Sequence, residues 1–189
     1  MTGLPAMRRS IGAAILALLL ALPASADIAF RGSAGTIVAA TTGAASLTGT
    51  TSATNIAALK IPANAIGKNG VVEIKALWSW TNSTNAKTLT TNISATSGAT
   101  VSNLPSVTIP NSTANGQTLI ILRNNNATNA QQSYGAPPAT TPFGTTTTAN
   151  NTSAIDTTAD TYINFNGTLT VGTETITLQH AYIVVYPAP

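Results

Sequence analysis

His180 is the only histidine of a 189-residue chain that has no cysteine and 5 Asp+Glu. A Ser-His-Asp relay would need Asp156 or Asp160 to converge on His180, and no nucleophile motif accompanies them. With neither Cys nor a second His, His180 cannot assemble a zinc site of the usual kind. Its position in the middle of a strand-like run makes it a structural histidine. Asp156 and Asp160, set among threonines close to Asn150-Asn151, offer oxygen ligands for Ca²⁺, but two carboxylates without a glycine-bracketed acidic loop read first as a polar turn leading into a strand. Glu73 and Glu174 are the only glutamates. Glycoside hydrolysis would require them to face each other, and nothing in their spacing does so. Glu73 and Lys75 fall on one side of a strand and form a solvated ion pair. A secreted hydrolase is therefore disfavoured, and no catalytic, metal or cofactor site is expected.

Aromatic side chains are the remaining candidates for recognition. Trp78 and Trp80 lie two residues apart on one strand and share a face. Trp78 reads as core, whereas Trp80 sits near a turn where a stacked sugar ring or a core position is equally served. Tyr134 and Phe143 belong to a loop-like stretch and join Trp80 as candidate ligand contacts.

The elements that must carry these residues are strands. Leu59-Lys60-Ile61 is ended by Pro62, and Gly67-Lys68-Asn69-Gly70 reads as a turn in which Asn-Gly supplies positive φ angles. Val72, Ile74, Ala76, Trp78 and Trp80 then alternate with polar neighbours. Residues 81–86 form a polar turn into the alternating run Lys87 to Ile93, which predicts a β-hairpin. A short strand is expected around Val107-Thr108-Ile109. Thr118 to Arg123 reads as a strand buried on both faces. Residues 127–152 are loop-like, with Pro137-Pro138, Pro142 and Gly144, and a connection that long is commonly functional or disordered. Asn166-Gly167 predicts a second hairpin between Thr161–Phe165 and Thr168–Val171. In the last strand, Ile176, Leu178, His180, Tyr182, Val184 and Tyr186 share one face, while Thr177, Gln179, Ala181, Ile183 and Val185 share the other. No sustained helical period occurs. Short strands between turn signals predict an all-β fold, an antiparallel β-sandwich of jelly-roll-like form.

Composition agrees with a chain that works by contact. Charged residues are 7% and hydrophobic residues 43%, so one core is available while acids and bases are scarce. The formal charge of +3 hints at a polyanion partner until the charges are located. Arg8-Arg9, the apolar run Ile11 to Leu22 and Ala24-Ser25-Ala26 have the form of a signal peptide cleaved after Ala26. The apolar run falls short of the ~20 residues of a membrane span, so no stable span is expected after cleavage. Residues 27–189 carry 6 Lys+Arg against 5 Asp+Glu, a net charge of about +1, which removes the main support for nucleic-acid binding. The expected organisation is a signal peptide over 1–26, an N-terminal arm or first strands over 27–54, and the sandwich over 55–189. Without disulfides, oligomer contacts are an expected source of stability. The Asn-x-Ser/Thr triplets at Asn82, Asn92, Asn111 and Asn166 carry no inference in a chain so rich in both residue types.

Leu59-Lys60-Ile61-Pro62-Ala63-Asn64, Gly67-Lys68-Asn69-Gly70, Ala76-Leu77-Trp78-Ser79-Trp80-Thr81-Asn82-Ser83 and Lys87-Thr88-Leu89 follow in an order that resembles tailed-phage and prophage virion proteins. These are small β-sandwich modules of tail fibres, head spikes and minor structural components. Ala154 to Asp160, Phe165-Asn166-Gly167 and Glu174 to Leu178 fit as closing strands, so the resemblance covers most of residues 56–186. It implies a jelly-roll-like sandwich, assembly into a homo-oligomer, a place on a particle surface and no enzymatic activity. The expected partners are further copies of the chain and a cell-surface glycan or protein. The export signal departs from that pattern and points to the alternative of an exported bacterial adhesin or fibre subunit with the same sandwich.

Overall fold

The computed structural model describes residues 34–136 and 151–188, and the leader over 1–26 and Phe143 lie outside them. The described residues form eleven strands in order: β1 (Thr36–Ala40), β2 (Ala45–Leu47), β3 (Thr54–Ile61), β4 (Val71–Trp80), β5 (Lys87–Ser94), β6 (Val107–Thr108), β7 (Asn115–Asn124), β8 (Gln131–Ala136), β9 (Asn151–Ser153), β10 (Thr161–Leu169) and β11 (Ile176–Tyr186). A seven-stranded sheet has the order β1-β11-β4-β7-β8-β9, with β2 also on β11, and a four-stranded sheet has the order β3-β10-β5-β6.

This order is that of one antiparallel ribbon wound into a sandwich. β5 pairs β6, β4 pairs β7, β3 pairs β10, and β1 and β2 pair β11, each an early strand with a late one. Winding the ribbon adds the β11–β4 and β10–β5 pairings. The result is a jelly roll, with β8 and β9 inserted between β7 and β10 to widen the larger sheet. Alternation fills the space between the sheets. Val72, Ile74, Ala76 and Trp78 of β4 face Ile163 and Phe165 of β10 across a core that also buries Ile93, Ile120, Leu122, Ile183 and Val185. The Trp78 ring meets Phe165 edge-on at 6.2 Å, and its Nε1–H donates to Thr118 Oγ1 at 3.1 Å.

Several connections differ from the sequence-based expectation. Residues 81–86 do not close a hairpin, because β4 and β5 lie in different sheets and the segment crosses between them. Asn166-Gly167 is not a turn. β10 runs straight through it, with a bulge against β3 between Phe165 and Asn166, and Gly167 leaves room for Leu47, Ile56 and Ile176. In β11 the register shifts at Gln179, so Ile176 and Leu178 face inward but Ala181, Ile183 and Val185 replace them beyond it. β7 buries Ile120 and Leu122 on one face only, with Leu119 and Ile121 half-buried on the other. Within 127–152, residues expected as loop form β8 and β9. Positive φ in the 62–70 connection falls on Asn64 and Gly67 rather than on Asn69-Gly70. The Ala188 carbonyl approaches Gly67 so closely that a Cβ there would lie 2.0 Å from its oxygen.

Polar networks fasten both ends of the sandwich. At one end, buried Lys87 of β5 pairs with Glu174 of the β10–β11 turn at 2.9 Å, and Ser83 and Asn85 donate to the same carboxylate. Backbone bonds Thr81 N–H to Thr175 O and Thr170 N–H to Ala86 O continue the seam. At the other end, Asn124 donates to Gly67 O and Thr157 Oγ1, while Gln131 donates to Asn124 Oδ1 and Ile155 O and accepts from Ile155 N–H. Asn164 and Asn92 join side chains at 2.9 Å on the outer face of the small sheet and hold residues 96–99 over it. Asn103 bonds both the N–H and the C=O of Ile93, closing the β5 edge where β6 ends.

Phe165→Ala is expected to lower unfolding free energy by about 3–5 kcal/mol in urea titration, through cavity formation at a fully buried site. A loss under ~1 kcal/mol would contradict the core assignment. A second prediction follows from Glu174, whose carboxyl is lowered from 4.5 to about 2 by hydrogen bonds from Ser83, Lys87 and Asn85. Because the folded pKa lies below the unfolded one, this group stabilises the fold above pH 4.5 and the contribution disappears as pH falls towards 2. The urea midpoint should decline across that window, and Glu174→Gln should flatten the decline. An equally steep decline in the variant would show that the pair does not govern acid stability.

Candidate functional site

His180 and the Glu73–Lys75 pair share the outer face of the large sheet, linked through Tyr182, whereas Asp156, Asp160 and Glu174 lie in loops. The bulge at Gln179 turns His180 outward, where it is exposed rather than placed among core residues. Its Nδ1 lies 3.3 Å from Thr41 Oγ1, and its ring lies 5.9 Å from that of Tyr182. Asp156 accepts from the backbone and hydroxyl of Thr158, which hold its carboxyl below the usual range. Asp160 pairs with Lys60 and accepts from Ala63 N–H, lowering its carboxyl likewise. Asp156 thus caps its own loop, and Asp160 caps the segment that follows β3. Among the described residues no group of three His, Cys, Asp or Glu is arranged to hold a metal. Glu73 is paired with Lys75 on β4, whereas Glu174 is paired with Lys87 at the sandwich end.

Two surface features stand out among the described residues. The first is an apolar cleft of about 90 Å³ lined by Trp78, Trp80, Leu89, Val107, Ile109 and Gly116. It opens because β6 is only two residues long, so the small sheet ends while β7 continues. Trp80 is half-buried there, and its Nε1–H donates to Thr113 O at 2.8 Å. Its ring lies over Gly116, where an added Cβ would come within 2.9 Å of Cη2. Both indole N–H groups are engaged with protein, so the walls offer apolar contact and the cleft suits one small apolar group.

The second feature is the outer face of the large sheet. Strand register aligns Ile37, Val184, Glu73, Ile121 and Tyr134 in one row across β1, β11, β4, β7 and β8. The next row holds Ala40, Tyr182, Lys75 and Leu119. Leu77 and His180 lie beside each other in the row after it. Ile37 is 62% exposed, Leu77 51% and Tyr134 43%. The Lys75 ammonium, 5.8 Å from the Tyr182 ring centroid, is held protonated to higher pH by hydrogen bonds with Glu73 and Tyr182.

Trp80 and Tyr134 are thus on opposite faces of one sheet and form no common site. The apolar outer face was hidden in the sequence by the Gln179 bulge, which exchanges the faces of β11 midway. The signal that could have found it is Leu77 with Leu119 and Ile121, apolar residues opposite the core phase of their strands. Lys87 had a similar signal, sharing the inward phase of Leu89, Thr91 and Ile93.

No protein-family model, curated protein or solved structure matches the chain.

Gly116→Val is expected to displace the Trp80 ring, shift tryptophan emission to longer wavelength and reduce stability by about 1–3 kcal/mol. Unchanged emission would show that Trp80 does not occupy the space over Gly116.

Proposed function

We propose that the protein is a non-enzymatic structural or receptor-binding module of a virion-type particle, assembling as a homo-oligomer and presenting loops to a cell-surface glycan or protein. The observation that carries this reading is the ribbon-wound jelly roll with an apolar outer sheet face. Jelly rolls serve as capsid and lectin domains, a likeness of fold alone. The contents of the surface support it further. Among the described residues His180, Asp156, Asp160, Glu73 and Glu174 are each engaged by protein groups, and an apolar cleft and an apolar sheet face are open to contact.

A second reading, an exported bacterial adhesin or fibre subunit, is favoured by the leader-like Arg8-Arg9, Ile11 to Leu22 and Ala24-Ser25-Ala26. Mass spectrometry of the native N-terminus separates the two, since Asp27 as first residue marks export and Met1 within particles marks a virion component.

Light scattering of the purified protein should give a mass that is a multiple of the single chain. On a glycan array or host-cell binding assay, Trp80→Ala should weaken binding while circular dichroism stays unchanged. A monomeric protein that binds neither glycans nor cells would overturn the reading.

A further inference from the structure

We infer that the outer face of the seven-stranded sheet is the self-association surface, packing against the same face of a second copy across a two-fold axis near the middle of β4. The inference rests on the homo-oligomer reading above and names the surface responsible.

Three observations favour a second copy as the occupant. The first is charge. Glu73 and Lys75 sit two residues apart on β4, carry opposite signs and lie at the centre of the face. A two-fold axis between them would set Glu73 against the partner subunit's Lys75 and Lys75 against the partner subunit's Glu73. Such a patch is self-complementary, as an isologous contact requires. The central pair has no net charge, so the middle of the face favours an equally neutral partner over a polyanion.

The second observation is apolar character. Ile37, Leu77 and Tyr186 are 62%, 51% and 37% exposed, and Val184, Ile121, Leu119 and Tyr182 are half-buried between them. An apolar patch of this kind on a soluble domain marks an interaction surface. The polar rim is supplied by Arg123, which donates to Gln132 Oε1 at 2.6 Å.

The third is size. Six strands at ~4.8 Å spacing and about eight residues at ~3.3 Å give a face of roughly 700 Å². That is close to the ~800 Å² per partner of a standard stable interface. Face-to-face packing of two twisted sheets at about 10 Å separation would bury it.

The test uses the full chain and two kinds of variant. Leu77→Glu should weaken self-association roughly 30-fold or more in sedimentation equilibrium, with the circular dichroism spectrum unchanged. Val101→Glu, at a position 72% exposed outside the strands, should leave association as in the wild type. Lys75→Glu alone should also dissociate the oligomer, because four carboxylates would then meet at the axis. The exchange Glu73→Lys with Lys75→Glu should restore it. An oligomer that persists in both Leu77→Glu and Lys75→Glu would overturn this surface and leave the oligomer reading intact. A monomeric wild type would overturn both. Cross-links from Lys75 to residues 1–33 of the same chain would show that the chain covers its own face, and would also overturn the inference.

Discussion

The β4–β5 and β10–β11 connections leave the large and small sheets at the same end, and the Lys87–Glu174 pair binds one to the other. The seam holds two connections that pass between the sheets, from β4 to β5 and from β10 to β11. Lys87 is placed by the inward phase of β5, so without Glu174 its buried ammonium would keep the neutral acceptors Ser83 Oγ and Asn85 O but lose its counter-charge. An unpaired buried charge is far more costly than a paired one, which makes the closed end cooperative rather than additive. Ser83, Asn85 and the Thr81–Thr175 bonds complete the enclosure.

Elsewhere, amides take the place that disulfides or ion pairs hold in other small domains. Asn124, Gln131 and Thr157 form a buried network that gathers three loops at the far end. Asn164 and Asn92 fasten the 95–104 segment over the small sheet, and Asn103 caps an open edge. Amide side chains both donate and accept, so one residue can satisfy several backbone groups while adding no charge. The scarcity of charged residues therefore accompanies a fold built from neutral hydrogen bonds.

The same economy shapes the exterior. Among the described residues the carboxylates are engaged by lysines, hydroxyls, amides or backbone N–H groups, and His180 is turned outward beside Thr41 and Tyr182. Apolar surface is open at the cleft beside Trp80 and across the outer sheet face. These two surfaces lie on opposite sides of the large sheet, so a partner on one leaves the other accessible.

Alternation along β4, β5 and the first part of β11 was legible in the sequence because a strand's side-chain period is strictly two, and those residues predicted the core that the structure contains. Pro62 ended β3 as expected, and the antiparallel sandwich followed from short alternating runs between turn residues. Pairing partners were not legible in the same way. A polar turn reads alike whether it closes a hairpin or crosses to a second sheet, and only the ribbon winding sends 81–86 across. Asn166-Gly167 has the composition of a turn, yet close packing against Leu47, Ile56 and Ile176 uses its glycine within a straight strand. A single extra residue at Gln179 exchanges the two faces of β11, moving His180 out and Ala181 in. Local sequence determined which residues could be strands and which face of each run was apolar. Tertiary structure alone decided partners, bulges and hence exposure, because those depend on contacts between residues as distant as Lys87 and Glu174.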